Sequence, residues 1–211
     1  MARADFTITV LDLTDRAQLA DAAVVAARAF HYDPFFVHLS DRALVRARGL
    51  GLFWKAELSS FGQHAEVYGA RQADGRLIGV AAWIKPGEYP LPVQSQAQQG
   101  LGALRALWPH PRSLVDGLKY LTAIDKAHPK EPSWYLNLLV VDPAVQRGGI
   151  GGALQRVVLD RADSDALPCY LETQNVDNLP YYRRFGFEVA DELHPVPKGP
   201  PLWTMWRPAA V

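Results

Sequence analysis

A nearly unbroken apolar run occupies residues 134–141, interrupted by one amide at Asn137. Such a run predicts a strand that is buried on both faces. Asp142-Pro143 ends it, because proline fixes its own φ and biases its predecessor toward extended backbone. Four glycines then lie within residues 148–152. The apolar residues that follow recur at helical spacing and predict a helix after the turn: Ala153, Leu154, Val157, Val158 and Leu159.

The apolar and polar pattern of the rest of the chain predicts an antiparallel meander before this strand–turn–helix unit and further strands after it. Strands are predicted at 6–11, 65–72, 76–84, 168–172, from 186 onward and at 201–207. Helices are predicted at 15–30 behind an N-cap at Thr14, at 41–60, at two places within 95–127 separated by Pro109-His110-Pro111, and at 175–184. We therefore expect one α/β domain over residues 1–211, built on a mixed sheet.

Composition and charge exclude several functional classes. The 22 Lys and Arg residues balance the 22 Asp and Glu residues, which leaves no electrostatic footprint for nucleic acid. No apolar segment is long enough to span a membrane, and the N-terminus lacks a signal core. Cys169 is the single cysteine, so no intrachain disulfide can form and a reducing, cytoplasmic setting is expected. The six histidines lack metal-ligand spacing, so we expect no metal.

The glycine-rich turn is the first candidate for chemistry. Backbone N–H groups that converge at a helix N-terminus favour an anion such as phosphate. A nucleotide P-loop would need Lys and then Ser or Thr after the last glycine, but Gly151 is followed by Gly152 and Ala153. A dinucleotide fingerprint starting at Gly149 would need Gly or Ala at 154, where Leu154 stands. A phosphate loop of another kind remains, as does a purely structural βα turn.

Two motifs, which follow one another along the chain in the same order as in a known family, carry a resemblance to that family. Gln146-x-x-Gly149-x-Gly151 resembles the acyl-CoA pyrophosphate loop of the GNAT superfamily of N-acetyltransferases, and residues 181–187 (Tyr-Tyr-Arg-Arg-Phe-Gly-Phe) resemble its second signature. Roughly the last 80 residues look like puromycin N-acetyltransferase and its relatives, through 128–136, 171–173, 178–182 and 199–206. The loop departs from that pattern, with Arg147 in place of glycine and Gly148 in place of lysine.

The resemblance implies a mostly antiparallel, twisted sheet flanked by helices, with a V-shaped split between two central parallel strands. It implies acetyl-CoA as co-substrate, held by a core over about 134–190, and acceptor-side helices over about 15–60. Tyr182 is then the candidate general acid for the departing thiolate, although an aromatic there could also be packing. The residues expected to bind the cofactor are Leu139, Val140, Val141, Gln146, Arg147, Gly148, Gly149, Ile150, Gly151, Gly152 and Asn178.

Glu172 is the candidate base. A carboxylate at the end of an apolar strand is unfavourable to bury, so its pKa should rise toward the range that suits proton transfer from an amine. An ion pair with an arginine is the alternative of equal weight. Asn137 is either a polar site residue or a hydrogen-bonded core amide. Asn178 is preferred narrowly over Asn175 for the pantetheine arm, and Cys169 is expected to behave as a small buried hydrophobe.

The acceptor side is the least determined by sequence. His31, Tyr32 and Trp54 are predicted to bind the acceptor, because aromatic residues flanked by polar groups line small-molecule pockets. The same aromatics suit a plain core almost equally well. The predicted activity is acetyl transfer to a primary amine of a small molecule, by a monomer or homodimer. A non-catalytic acyl-CoA-binding sensor and a protein or peptide N-acetyltransferase are the alternatives.

Overall fold

The computed structural model describes residues 5–107 and 111–210. This part of the chain forms a seven-stranded sheet in the order β1-β2-β3-β4-β5-β7-β6. The strands are β1 (Thr7–Val10), β2 (Ala65–Arg71), β3 (Leu77–Ile84), β4 (Trp134–Val141), β5 (Cys169–Thr173), β6 (Glu188–Leu193) and β7 (Leu202–Arg207). Every neighbouring pair is antiparallel except β4 and β5, which are parallel.

The parallel pair separates soon after it forms. β4 and β5 pair only at Trp134 with Cys169, Tyr135 with Tyr170 and Leu136 with Leu171. Beyond Leu136, β4 continues along β3 to Val141, whereas β5 continues along β7. The two strands therefore open a V-shaped split in the middle of the sheet, as the family resemblance implies.

Helices cover both faces of the sheet. Within the described residues they are α1 (Arg16–Ala29), α2 (Pro34–Leu39), α3 (Ala43–Ser60), α4 (Val93–Leu107), α5 (Pro111–Ala127), α6 (Ile150–Ser164) and α7 (Leu179–Arg183). One core cluster packs α1 and α3 against one face, with Trp54, Leu138 and Tyr170 among its members. A second cluster packs α6 and α7 against the other face, with Leu154, Leu171 and Tyr182 among its members. After the roles that the family resemblance implies for their helices, we call these the acceptor face and the donor face.

The first helices differ from the sequence prediction in two places. Asp15, not Thr14, caps α1, because the Asp15 carboxylate accepts the Ala17 N–H at 2.8 Å. The segment after α1 contains an additional short helix, α2, which Asp33 caps and Pro34 begins. Buried Arg46 fixes this segment by donating to the His31 and Ser40 carbonyls at 2.6 and 2.5 Å. The prediction of a 41–60 helix is confirmed by α3.

The remaining predicted elements are confirmed within a few residues. The predicted break at Pro109-His110-Pro111 lies mostly outside the described residues; α4 ends at Leu107 and α5 begins at Pro111. No helix in the described part of the chain is both long and apolar enough to cross a membrane.

Candidate active site

The glycine-rich turn presents unpaired backbone donors at the start of α6. Gly149 is the N-cap residue with φ +84°, in the left-handed region that favours glycine. Arg147 adopts the same region with φ +64°, which is uncommon for a residue with a Cβ. The first helical bond is from the Ala153 N–H to the Gly149 carbonyl. The N–H groups of residues 147–152 have no acceptor within the described chain, so the turn is able to hold an anion.

Tyr181 packs directly on this turn. Its hydroxyl accepts a hydrogen bond from Gln155 Nε2 at 2.8 Å. A Cβ added to Gly151 would lie 2.8 Å from that hydroxyl, closer than non-bonded atoms approach. Gly151 therefore permits α7 to lie against the N-terminus of α6, in addition to any role in ligand approach. Gln146, at the other end of the turn, donates to the Val141 carbonyl at 3.2 Å and joins the turn to β4.

One edge of β4 is free along the split. Because β5 pairs only as far as Leu136, the backbone groups of residues 137–141 that point away from β3 have no strand partner. A β-bulge at Asn137 shifts the register, since Ala82 pairs with Leu138 and Trp83 with Leu136. The segment around Leu139, Val140 and Val141, predicted to bind the cofactor, thus offers unpaired N–H and C=O groups at the opening.

Glu172 lies on the opposite arm of the split, one residue beyond the last β4–β5 pair. It shares the acceptor face with Tyr170, two residues earlier. Burial raises the pKa of its carboxyl to about 7, although the nearby Tyr135 and Tyr170 hydroxyls partly oppose the rise. Its Oε1 is fully buried with no hydrogen-bond partner among the described residues. No ion pair in the described chain includes Glu172, so the arginine alternative finds no support.

Tyr182 lies on α7, on the donor face of the sheet. Its side chain is 8 % exposed and belongs to the donor-face cluster. Burial raises the pKa of its hydroxyl well above the usual value, and the charges of Tyr181 and Asp33 add to the effect, so the hydroxyl is a protonated donor at neutral pH. Asn178 Nδ2 donates to Thr173 Oγ1 at 3.0 Å, which holds the start of α7 against the end of β5.

The two asparagines before α7 differ in what they are bonded to. The Asn175 side chain caps the short 3-10 helix Val176–Asn178 by accepting the Asp177 N–H at 3.1 Å. The Asn178 side-chain oxygen makes no hydrogen bond within the described chain. That difference favours Asn178 for a ligand contact, in line with the sequence preference. The role itself stays a prediction.

The structure separates Trp54 from the other two predicted acceptor residues. Trp54 is 5 % exposed in the acceptor-face core, stacked on Phe30 with ring centroids 4.8 Å apart. Tyr32 is 81 % exposed and contacts His31 edge to face. The core alternative therefore describes Trp54 better than the pocket prediction does. A direct role for His31 or Tyr32 in acceptor binding stays a prediction.

A group of residues that the sequence did not single out surrounds Glu172. It contains Tyr89, Asp125, His128, Tyr135 and Tyr170. The sequence does carry a signal for Tyr135 and Tyr170. Each lies two residues before a polar strand residue, Asn137 or Glu172, and residues two apart on a strand point to the same face of the sheet. Tyr89 and His128 lie in connections, where periodicity gives no signal.

Two further carboxyl groups carry raised pKa values. Glu57 lies on the buried stripe of α3 beside Trp54 and Leu58, and burial raises its pKa to about 7. Burial also raises the pKa of Asp33 to about 6, although the Phe35 and Phe36 N–H groups oppose the rise. A glutamate at an apolar helix position was the sequence signal for Glu57.

Cys169 is fully buried, and burial raises the pKa of its thiol to about 12. It is therefore a packing residue, as predicted. Among the residues described, no group of three or more His, Cys, Asp or Glu side chains is placed to hold a metal ion.

Comparisons with known proteins agree with this geometry. The model of the acetyltransferase (GNAT) family matches residues 26–187. A solved Corynebacterium glutamicum protein, described as histone acetyltransferase HPA2 and related acetyltransferase, is 22 % identical with a TM-score of 0.68, over 98 % of this chain and 97 % of that one. The PaiA N-acetyltransferase of Thermoplasma acidophilum, solved with coenzyme A, is 15 % identical with a TM-score of 0.58, over 97 % and 99 %.

A third solved structure is the polyamine N-acetyltransferase of Drosophila melanogaster, which forms N-acetylagmatine. It is 15 % identical to this chain with a TM-score of 0.61, over 97 % of this chain and 100 % of that one. At these identities the solved structures establish a shared fold. The specific resemblance to puromycin N-acetyltransferase stays a sequence-based expectation.

Proposed function

We propose that this chain, which belongs to the acetyltransferase (GNAT) family, transfers the acetyl group of acetyl-CoA directly to the primary amine of a small molecule. Family membership makes the protein an acetyl-CoA-dependent N-acetyltransferase. The proposal adds the acceptor class and the roles of individual residues.

One observation carries the proposal. Glu172, whose carboxyl pKa burial raises to about 7, begins the β5 arm of the split, and Tyr182, a protonated phenol at neutral pH, lies on α7, whose start is held against the end of β5 by the Asn178–Thr173 hydrogen bond. Glu172 belongs with the helices of the acceptor face, and Tyr182 belongs with α6 and the glycine-rich turn. This division suits a reaction in which an amine enters from one side and a thiolate leaves on the other.

The proposed steps follow from that arrangement. An alkyl amine with a pKa near ~10 is mostly protonated at neutral pH, so Glu172 accepts its proton, directly or through water. The nitrogen then attacks the thioester carbonyl carbon, and an N–H on the free edge of β4 stabilises the oxyanion. When the C–S bond breaks, Tyr182 donates its proton to the thiolate. The nitrogen, positively charged after the attack, loses its second proton, which the tyrosinate takes up directly or through water. Meanwhile the N–H groups of residues 147–152 bind the pyrophosphate.

The two alternatives predict different behaviour. A sensor domain would bind acetyl-CoA without needing a base, so the raised pKa of Glu172 supports the enzyme over the sensor. A protein N-acetyltransferase would act on peptides. That alternative has some support from the histone acetyltransferase relative, whereas the polyamine N-acetyltransferase relative favours a small amine.

A thiol-release assay tests the proposed acceptor. Acetyl-CoA is offered with a panel of alkyl amines, puromycin, aminoglycosides and peptides. We expect release that depends on a small amine and yields its N-acetyl product. Release with peptides alone would favour the protein alternative, and binding of acetyl-CoA without release would favour the sensor.

A further inference from the structure

Asn137 is the residue at which β4 loses its partners on both sides. On one side, β5 pairs with β4 only as far as Leu136. On the other side, the β-bulge leaves Asn137 without a register partner on β3. Every other residue of β4 has a register partner on at least one neighbouring strand. Bulges are frequent beside active sites, because they re-aim a side chain at the point where pairing ends.

The Asn137 side chain points to the same face of the sheet as the candidate base. Its Nδ2 donates to the Tyr135 hydroxyl at 3.4 Å, and Tyr135 belongs to the acceptor-face cluster. If the parallel pairing continued by one residue beyond Leu136 and Leu171, Asn137 would be the register partner of Glu172. The two residues therefore lie opposite one another where the split begins, one on each arm.

The hydrogen bonding of the Asn137 amide is incomplete. A side-chain amide can make four hydrogen bonds, but Asn137 makes a single long one within the described chain, to Tyr135. Its Oδ1 is fully buried and has no partner among the described residues. A core amide is normally satisfied by the protein, because an unpaired buried polar atom destabilises the fold. The interpretation of Asn137 as a hydrogen-bonded core amide is therefore not supported.

Two unpaired acceptor atoms thus lie on the two arms at the start of the split. They are Asn137 Oδ1 on β4 and Glu172 Oε1 on β5, and both are buried without a hydrogen-bond partner in the part of the chain that the structure describes. A group with several N–H donors on one nitrogen matches this pair, because it can donate to both atoms at once. A protonated primary amine carries three such donors.

We propose that Asn137 Oδ1 accepts a hydrogen bond from the acceptor nitrogen throughout the reaction and so holds that nitrogen in place for attack. The inference rests on the proposed function and adds a residue to it. The ammonium gives one proton to Glu172 and donates a second N–H to Asn137. The neutral nitrogen keeps this N–H while its lone pair forms the new C–N bond. Once the C–S bond has broken and a further proton has left for the Tyr182 oxygen, the amide product retains one N–H, which Asn137 still accepts.

The substitution Asn137→Leu separates this role from a structural one. The nitrogen becomes positively charged as it attacks, so its hydrogen bond to Asn137 strengthens in the transition state. We expect kcat for the best small amine of the thiol-release panel to fall roughly ten- to hundredfold, the range for a hydrogen bond to a charged group. KM for acetyl-CoA should stay within a few-fold of wild type. The variant should resist denaturant at least as well as wild type, because the substitution removes an unpaired buried atom.

Two further variants complete the experiment. Asn137→Asp keeps an acceptor oxygen at this position in either protonation state, so its kcat at its optimal pH should be at least several-fold above that of Asn137→Leu. Thr204→Val is the matched control. Thr204 is a buried register partner of Glu172 on β7, on the side away from the split, and its Oγ1 accepts the Asp191 N–H at 3.0 Å. This variant should lose stability and keep kcat within a few-fold of wild type.

The outcomes distinguish this inference from the proposed function. Wild-type kcat in Asn137→Leu, with activity lost in Glu172→Gln, would overturn the role of Asn137 and leave the proposed function in place. An Asn137→Leu variant that unfolds more easily than wild type would make Asn137 a core residue and overturn the role as well. An equal loss of kcat in Thr204→Val, or no recovery in Asn137→Asp, would have the same consequence. If no small amine is acetylated by the wild type, both the inference and the proposed function are wrong.

Discussion

Tyr135 and Tyr170 are register partners in the parallel pair, with ring centroids 5.6 Å apart on the acceptor face. The strands separate immediately beyond them, after Leu136 and Leu171. Asn137 and Glu172, two residues further along each strand, therefore begin the two arms of the split. The tyrosine pair therefore lies at the closed end of the split. Asn137 and Glu172 are the first polar side chains beyond it, one on each strand.

The contact between Gly151 and Tyr181 gives the first prediction. Gly151→Ala should destabilise the fold by roughly 1–3 kcal/mol, because its Cβ overlaps the Tyr181 hydroxyl. Tyr181→Phe removes that oxygen and leaves the nearest ring carbon 3.7 Å away. Tyr181→Phe by itself loses the hydrogen bond from buried Gln155, but adding Gly151→Ala in that background should cost much less than it does in the wild type, as measured by denaturant unfolding. A stabilising Gly151→Ala in the wild-type background would contradict the contact.

Glu172 gives a prediction about pH. A raised pKa in the folded state means that the folded protein binds this proton more tightly than the unfolded chain does. Above the unfolded pKa of 4.5, ionisation therefore progressively weakens the fold until pH passes about 7. Relative to wild type, Glu172→Gln should gain on the order of 2–3 kcal/mol in unfolding free energy between pH 5 and pH 8.

The control for that measurement is Glu131→Gln, at an exposed position. Its stability relative to wild type should be nearly independent of pH over the same range. In activity assays, kcat of the wild type should rise through pH 7 as Glu172 loses its proton, and Glu172→Gln should lose both the rise and most of the rate. A pH-independent stability difference for Glu172→Gln would contradict the raised pKa.

Tyr182→Phe tests the proposed acid. We expect unchanged affinity for acetyl-CoA by calorimetry and a kcat lower by on the order of 100-fold or more. Tyr181→Phe, which removes the neighbouring hydroxyl bonded to Gln155, should leave kcat within a few-fold of wild type. An unchanged kcat in Tyr182→Phe would make Tyr182 a packing residue.

The two predicted acceptor aromatics should behave differently. Trp54→Ala should lower the free energy of unfolding by roughly 3–5 kcal/mol, because it empties a buried site. Tyr32→Ala should stay within about 0.5 kcal/mol of wild type, because the side chain is exposed. Thermal or denaturant unfolding measures both. A raised KM for the amine in a fully stable Tyr32→Ala variant would support a direct role of Tyr32.

The elements of the fold that could be predicted are those marked by a distinctive pattern within a few neighbouring residues. β4 was predicted with the observed bounds, because a continuous apolar run ends at an unambiguous proline signal. The capping of α1 was assigned to Thr14 instead of Asp15, since adjacent capping residues are not distinguished by type alone. α2 was missed, although Asp33-Pro34 is a helix-start signal, because the aromatic residues around it resemble a loop between longer helices.

The site was only partly predictable for a different reason. Glu172 and the glycine-rich turn carry their signal within a few neighbouring residues. The aromatic group around Glu172 draws Tyr89, His128, Tyr135 and Tyr170 from separate elements that only the folded topology brings together. Likewise, Trp54 has two interpretations at the level of sequence, and its packing on Phe30 decides between them.

Direct transfer from acetyl-CoA to an amine is the central claim, and a two-step mixing experiment tests it. The protein is first mixed with a stoichiometric amount of acetyl-CoA, and free thiol and intact protein mass are followed. An amine that the thiol-release panel identifies as an acceptor is then added. We predict no thiol and no acetylated protein before the amine is added, and afterwards one thiol and one N-acetyl product for each acetyl-CoA consumed. A burst of thiol with acetylated protein before the amine is added would contradict direct transfer.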